Sequence, residues 1–138
     1  MFQGYRRKDG SVGIRNEIWI TPSVGCVNDV AKALVAENQD LVTDSIDGLY
    51  CFPHPFGCSQ TGADHAQTRK LLAALAKHPN AGGVLVLGLG CENLTREQFI
   101  EELGDFDPDR KHEIAYIAQC ILPDIIALYE SEEGQKEF

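Results

Sequence analysis

One stretch of the sequence decides the fold class: Gly83-Val84-Leu85-Val86-Leu87-Gly88, an uninterrupted apolar run between glycines. A strand with one face in water alternates apolar and polar residues, so an unbroken apolar run is typical of a strand that is covered on both faces. The run therefore predicts the centre of a mostly parallel sheet with helices packed on it.

Other strands and helices are predicted on either side of this run. Stretches of β-branched and aromatic residues predict three more strands, at 17–21, 48–52 and 113–118. Apolar periodicity, proline positions and a capping box at Thr95-Arg96-Glu97-Gln98 predict four helices, over about 28–36, after Pro55, after Thr95 and after Pro123. The second helix is expected to bury Leu71, Leu72 and Leu75, and the third to bury Phe99, Ile100 and Leu103.

This alternation predicts an α/β fold of three layers, in which a four-stranded, mostly parallel sheet carries helices on both faces. The chain has 138 residues, the size of one domain. The pair Asp9-Gly10 predicts a tight hairpin turn, so we expect an N-terminal arm at 1–16, a single domain at 17–130 and a polar tail at 131–138.

The charge balance limits the kinds of partner. Twelve Lys and Arg stand against 21 Asp and Glu, which gives a net charge of -9. Nucleic acid and anionic membranes are therefore not expected as partners. Four basic and twelve acidic residues lie in 96–138, so an anionic small molecule is expected to bind the earlier part of the chain. No leader-like apolar segment follows Met1, and a cytoplasmic location with reduced cysteines is expected.

The same dipeptide follows three of the predicted strands: Gly25-Cys26, Gly57-Cys58 and Gly90-Cys91. Parallel strands would bring all three to one edge of the sheet, where α/β proteins bind ligands. Glycine allows close backbone approach, and nearby helix N-termini favour anions and thiolates. The alternative that each is a small buried thiol stays open, and it is the preferred interpretation of Cys51 and Cys120.

His54 is the best imidazole candidate because it lies four residues before Cys58, in a loop stiffened by Pro53 and Pro55. Together with thiolates and the Glu92 carboxylate, it would suit iron, manganese or zinc, and the spacing does not choose among them. A dinucleotide site is not predicted, because the third glycine of the fingerprint that begins at Gly88 is replaced by Asn93.

Four longer motifs resemble one family: Gly4-Tyr5-Arg6-Arg7 through Glu17, Pro22-Ser23-Val24-Gly25-Cys26-Val27-Asn28, His54-x-x-Gly57-Cys58-Ser59-Gln60, and His78-Pro79-Asn80 through Gly90-Cys91-Glu92-Asn93. In these motifs the chain resembles the altronate dehydratase and galactarate dehydratase family of sugar-acid hydro-lyases, over about residues 4–120. The segment 104–110 is more similar to the altronate dehydratases.

The resemblance implies a site and a chemistry. The reaction removes water from a 2,3-dihydroxy acid to form a 2-keto-3-deoxy sugar acid, which needs a base at C2 and a Lewis acid at the C3 hydroxyl. The implied metal is Fe²⁺ or Mn²⁺. Catalysis is expected of His54, Cys58 and Glu92, and metal binding of His54, Cys58, Cys26 and Cys91. Substrate binding is expected of Asn28, Ser59, Gln60 and Asn93.

Family members usually carry a small domain before this region and a larger one after it. We therefore expect the chain to be a middle domain that is inactive alone and has those missing regions as partners, with a homodimer as a further expected assembly. The alternatives are a galactarate dehydratase, a sulfolactate sulfo-lyase of the same family, or a non-catalytic scaffold or dimerisation domain. An iron–sulfur cluster is disfavoured because the cysteines are not closely spaced.

Overall fold

The structure is a computed structural model, and it describes residues 3–105 and the backbone of 113–116. Within these ranges the strands are β1 (Tyr5–Arg6), β2 (Val12–Gly13), β3 (Glu17–Pro22), β4 (Gly48–Cys51), β5 (Ala81–Gly88) and β6 (Glu113–Tyr116). The α-helices are α1 (Asn28–Glu37), α2 (Gly62–Ala76) and α3 (Arg96–Leu103). Two short 3-10 helices, Gly25–Val27 and Gln39–Leu41, were not predicted.

Strands β3 to β6 form the main sheet of the described residues, in the order β4-β3-β5-β6. Every pair in it is parallel: β3 pairs with β4 and with β5, and β5 pairs with β6. All eight residues of β5 are buried, as its unbroken apolar sequence predicts for an interior strand. The predicted α/β fold with a parallel sheet is confirmed.

The apolar residues form two clusters, on opposite faces of β3 and β5. Ile18, Ile20, Leu85 and Leu87 belong to the cluster that includes Ala31 of α1. Their neighbours along the strands, Trp19, Val84 and Val86, belong to the other cluster. That cluster also contains Leu72 and Ala73 of α2 and Phe99 and Leu103 of α3. Since side chains alternate along a strand, β3 and β5 bury both of their faces against helices.

The predicted face of α2 was wrong at one position. Leu72 is buried and Leu75 packs against the core, but the side chain of Leu71 is 60% exposed. A helix advances 100° per residue, and the stripe that faces the sheet runs through Thr68, Leu72 and Ala76. Leu71 lies beside this stripe. In α3, Phe99 and Leu103 are buried as predicted, whereas Ile100 is half-buried.

The hairpin and the capping box are confirmed. β1 and β2 pair antiparallel around Gly10, whose φ of 85° lies in the region that favours glycine. The Thr95 side chain accepts from the backbone N–H of Gln98, and the Gln98 side chain accepts from the N–H of Thr95. The predicted helix after Pro123, the tail 131–138 and Cys120 lie outside the described residues. In the part that is described, no helix has the length and apolarity needed to cross a membrane.

Candidate functional site

The three Gly-Cys pairs lie at one edge of the main sheet. They follow β3, β4 and β5, which run in the same direction, so their loops emerge at the carboxyl ends of adjacent strands. We call the loops 22–28, 52–60 and 88–93 together the carboxyl edge. Cys26, Cys58 and Cys91 are all exposed there and form no disulfide. The alternative that these thiols are buried is wrong. Cys51, in contrast, packs against the core, and burial raises the pKa of its thiol.

His54 connects two of these loops, and both nitrogens of its ring are hydrogen-bonded. Its Nε2 lies 2.7 Å from the carbonyl oxygen of Pro22, and its Nδ1 lies 3.2 Å from the backbone nitrogen of Phe56. A carbonyl oxygen only accepts, so Nε2 carries the proton and donates, while Nδ1 accepts from the Phe56 N–H. In this arrangement neither nitrogen is available for a metal or for a substrate proton.

Asn28 also holds the loop of His54 in place, through the backbone of His54. Its side-chain amide donates to the carbonyl oxygen of His54 at 2.8 Å, and its Oδ1 accepts from the backbone N–H of His54 at 3.2 Å. The backbone N–H of Gly25 also donates to the carbonyl oxygen of Phe56, at 2.7 Å. The residue predicted to bind substrate therefore holds the loop that carries Cys58.

The glycine of Gly57-Cys58 is required by a close approach of two backbones. Gly57 has a φ of 98°, and a Cβ atom placed on it would lie 2.4 Å from the carbonyl oxygen of Ser23 and 2.8 Å from Cα of Val24. Any side chain would push the second loop away from the first. At this position glycine therefore lets the neighbouring loop, at Ser23 and Val24, approach closely.

Gln60 and Asn93 join the second loop to the third and to α2. The Gln60 Oε1 accepts from the Thr68 hydroxyl at 2.9 Å, and Asn93 Nδ2 donates to the carbonyl oxygen of Gln60 at 2.6 Å. The backbone N–H of Asn93 also donates to the carbonyl oxygen of Gly57 at 3.1 Å. Ser59, between them, is exposed and has a φ of 64°, which is uncommon for a residue with a side chain.

Glu92 organises the third loop. Its Oε1 accepts from the Ser23 hydroxyl at 2.7 Å and from the N–H of Leu89 at 3.2 Å, and its Oε2 accepts from the N–H of Gly90 at 2.6 Å. Burial acts to raise the pKa of this carboxyl, but the hydrogen bonds from Ser23 and the backbone outweigh burial and lower it. Sequence reasoning missed Ser23, although a hydroxyl residue directly after Pro22 at a strand end was the available signal.

The lowered pKa of Glu92 predicts a pH dependence of stability. A carboxyl whose pKa is lower in the folded state stabilises the fold at pH values above its ordinary pKa of 4.5. This contribution is lost as the pH falls through the lowered pKa. Glu92→Gln replaces an acceptor by a donor that faces the Gly90 N–H. We expect about 1 kcal/mol less stability at neutral pH and a smaller further loss in acid, measured by urea unfolding.

The matched control for this prediction is Glu101→Gln, which changes an exposed carboxylate of α3. It should leave both the neutral-pH stability and its acid dependence unchanged. If Glu92→Gln unfolds with the same acid profile as the unchanged chain, the assigned role of Glu92 is wrong.

The described residues do not fit a metal site by themselves. Among residues 3–105, no group of three or more His, Cys, Asp and Glu side chains is placed to hold a metal ion. The ring nitrogens of His54 and the carboxylate oxygens of Glu92 are also already hydrogen-bonded to groups in the loops. A small cavity of about 140 Å³ beside Glu92 is lined by one cation, Arg96, and by the carboxylates of Glu92 and Glu97. Its mixed charge gives no preference for an anion.

Comparison with known proteins finds one family and relatives with the same name. The profile described as "D-galactarate dehydratase/Altronate hydrolase, second domain" matches residues 4–129. The chain is 51% identical over 114 residues to the altronate dehydratase of Escherichia coli (strain K12), covering 80% of the chain and 23% of that protein. It is 46% identical over 113 residues to the altronate dehydratase of Bacillus subtilis (strain 168), covering 79% of the chain and 22% of that protein.

A third relative has a different name. The chain is 36% identical over 88 residues to the (2R)-sulfolactate sulfo-lyase subunit beta of Chromohalobacter salexigens, covering 64% of the chain and 21% of that subunit. No solved structure matches the chain. The matched part of the chain thus spans roughly a fifth of the length of these relatives.

Proposed function

The chain belongs to the D-galactarate dehydratase/altronate hydrolase family, whose second domain it matches, and we propose that it is a domain of a hydro-lyase that dehydrates altronate. The observation that carries this proposal is the 51% identity to an altronate dehydratase over 80% of the chain. The product would be 2-keto-3-deoxygluconate. A proton leaves C2, the hydroxyl leaves C3 as water, and the resulting enol becomes the ketone.

The carboxyl edge is the part of this domain that we assign to the site. It presents the thiols of Cys26, Cys58 and Cys91 together with Ser59, all exposed. We assign Cys58 to proton exchange with the substrate, because hydrogen bonds from both neighbouring loops hold its own loop in place. Ser59 and the side chains of Cys26 and Cys91 contact the sugar acid. His54, Glu92, Asn28, Gln60 and Asn93 position these loops through the hydrogen bonds described above.

No step of this proposal passes through a metal, because the described residues do not form a metal site. The expectation of Fe²⁺ or Mn²⁺ and that of a cytoplasmic location stay predictions. A measurement of bound metal in the intact enzyme addresses the first of them.

A chimera tests the proposal. The chain replaces the matching segment of the Escherichia coli altronate dehydratase, and turnover of altronate is measured by formation of the 2-keto acid. We expect the chimera to keep at least about a tenth of the parent activity, because the contacts between domains tolerate most substitutions at this identity. The 138-residue chain alone should show no turnover, since a site open to water lacks the walls that catalysis requires.

Two results would contradict the proposal. A folded chimera without activity would show that this domain does not support altronate dehydration, and a chimera that acts only on sulfolactate would favour the sulfo-lyase alternative. Robust turnover by the chain alone would show that the predicted inactivity of the fragment is wrong.

One observation supports a second candidate function, that of a non-catalytic scaffold. Five of the predicted site residues use their polar atoms to hold the loops in place: His54, Asn28, Gln60, Glu92 and Asn93. In that case the carboxyl edge would be a rigid platform for the remainder of the enzyme. The exposed thiols separate the two candidates, because only the catalytic one needs the thiol of Cys58.

A further inference from the structure

A buried threonine of α2 contacts the loop that carries Cys58. Thr68 lies on the stripe of α2 that faces the main sheet, and its side chain is only 8% exposed. Its hydroxyl donates to the side-chain oxygen of Gln60 at 2.9 Å. This bond ties a residue of the carboxyl edge to a helix that packs on the core of the domain.

The side chain of Gln60 closes its own loop. Its Oε1 also accepts from the backbone N–H of Gly57, at 3.4 Å. An N–H group only donates, so the atom that faces it is the amide oxygen, and the hydroxyl of Thr68 donates to the same oxygen. Gln60 holds the N–H of Gly57 only while its side chain keeps this orientation. The bond from Thr68 fixes that orientation.

Cys58 and Ser59 form the tip of the closed loop. Both are exposed, whereas Gly57 is buried and Gln60 is half-buried. Ser59 has a φ of 64°, a conformation that a residue with a side chain keeps only when its surroundings hold it there. The bonds at Gly57 and Gln60 lie on either side of the tip. They therefore keep Ser59 in this conformation and fix the position of Cys58.

The other bonds to this loop come from a second loop. Asn93 donates to the carbonyl oxygens of Gly57 and Gln60, at 3.1 Å and 2.6 Å. Among the residues that the structure describes, Thr68 supplies the bond to 57–60 that comes from a helix. A helix packed on the sheet is a more rigid support than an exposed loop.

We propose that Thr68 is a positioning residue, which holds the tip Cys58-Ser59 in place through Gln60. It does not touch the substrate. It limits the conformations of the tip, so that the thiol of Cys58 meets the substrate at one distance and angle. The expected effect on turnover rests on the proposed function, in which Cys58 exchanges a proton. The effect on the loop itself does not depend on that function.

The alternative is that Thr68 only fills space between α2 and the sheet. Valine has nearly the shape of threonine but carries a methyl group in place of the hydroxyl. Serine keeps the hydroxyl and loses the methyl group. Thr68→Val therefore removes the hydrogen bond, Thr68→Ser removes part of the packing, and the two substitutions separate these roles.

Turnover of the altronate dehydratase chimera is the first measurement. We expect Thr68→Val to lower kcat about 10-fold and to change KM by less than about 3-fold, because a displaced thiol weakens the transition state more than substrate binding. Thr68→Ser should stay within about 3-fold of the unchanged chimera, because its hydroxyl still donates to Gln60. Urea unfolding confirms that both variants are folded under the assay conditions.

Hydrogen exchange of the 138-residue chain measures the loop without turnover. In Thr68→Val the amide of Gly57 should exchange at least about 10-fold faster, because its acceptor is no longer fixed. The amide of Leu72, one turn further along α2, should exchange at an unchanged rate and shows that the helix stays folded. Thr68→Ser should exchange like the unchanged chain at both positions.

Thr21→Val is the matched control. Thr21 is fully buried in β3, and its hydroxyl has no hydrogen-bond partner within the part of the chain that the structure describes. Removing this hydroxyl breaks no hydrogen bond. Turnover of the chimera and exchange of the Gly57 amide should therefore both stay unchanged.

Three results would overturn the proposal: an unchanged kcat of Thr68→Val in an active chimera, unchanged exchange at Gly57, or equal losses in Thr68→Val and Thr68→Ser. The last would show that Thr68 acts by packing. An inactive unsubstituted chimera would contradict the proposed function alone, and exchange at Gly57 would then decide the role of Thr68.

Discussion

Cys58→Ala is expected to lower the turnover of the altronate dehydratase chimera at least about 100-fold, the loss typical of removing a group that exchanges a proton with substrate. The stability should change by less than about 0.5 kcal/mol, because Cys58 is exposed and its thiol fills no space in the core. Initial rates at saturating altronate and urea unfolding of the same variant measure the two effects separately.

Cys51→Ala is the control for this prediction. It removes the same atom from a thiol that packs against the core, at the end of the strand that precedes the Cys58 loop. We expect a loss of about 1 kcal/mol in stability and nearly normal turnover per folded molecule. Nearly normal turnover of Cys58→Ala would instead favour the scaffold function.

Gly57→Ala is expected to destabilise the 138-residue chain by about 3–5 kcal/mol, a large part of the total stability of a small domain. Two costs add together. The φ of 98° is unfavourable for alanine, and the new Cβ would lie 2.4 Å from the carbonyl oxygen of Ser23. Relief of this contact requires the loops after β3 and β4 to separate. Urea unfolding monitored by the fluorescence of Trp19 measures the loss.

Gly10→Ala separates the two costs. Gly10 has a φ of 85°, but a Cβ placed on it would have no atom within 4 Å. Gly10→Ala should therefore lose only about 1 kcal/mol of stability, the cost of placing alanine at a positive φ. Equal losses for the two variants would show that the backbone contact between Gly57 and Ser23 does not constrain the loops.

Much of the architecture could be predicted because local composition and burial agree along the chain. The apolar run that ends at Gly88 is buried as expected, the Asp9-Gly10 turn forms a hairpin, and Thr95 caps α3. The position of Leu71 was wrong because three neighbouring leucines fit several helical faces, and only the packing of α2 on the sheet chooses among them. The side chain of Thr68 occupies the buried stripe instead.

The site shows a similar division. The sequence correctly predicts that the polar residues after the strands lie at one edge of the main sheet. The residue types alone do not reveal which groups they contact. His54 suits a metal, a proton transfer or a structural hydrogen bond, and the Pro22 carbonyl oxygen that accepts from its ring lies 32 positions earlier in the sequence. Ser23 and Glu92 meet across 69 positions. Pairings of this range depend on how loops from different strands approach one another.

By itself the sequence determined the parallel α/β sheet, the three Gly-Cys loops at one edge and the family, because each follows from a local pattern or from a string of identical residues. Only the tertiary structure decided which side chains at the carboxyl edge are exposed and which hold the loops. It exposes Cys26, Cys58 and Cys91. It also turns His54 toward the Pro22 carbonyl oxygen of the neighbouring loop, and Glu92 toward the Ser23 hydroxyl and the N–H groups of its own loop. The physical reason is that backbone polar groups at the ends of parallel strands need hydrogen-bond partners, and residues distant in sequence supply them.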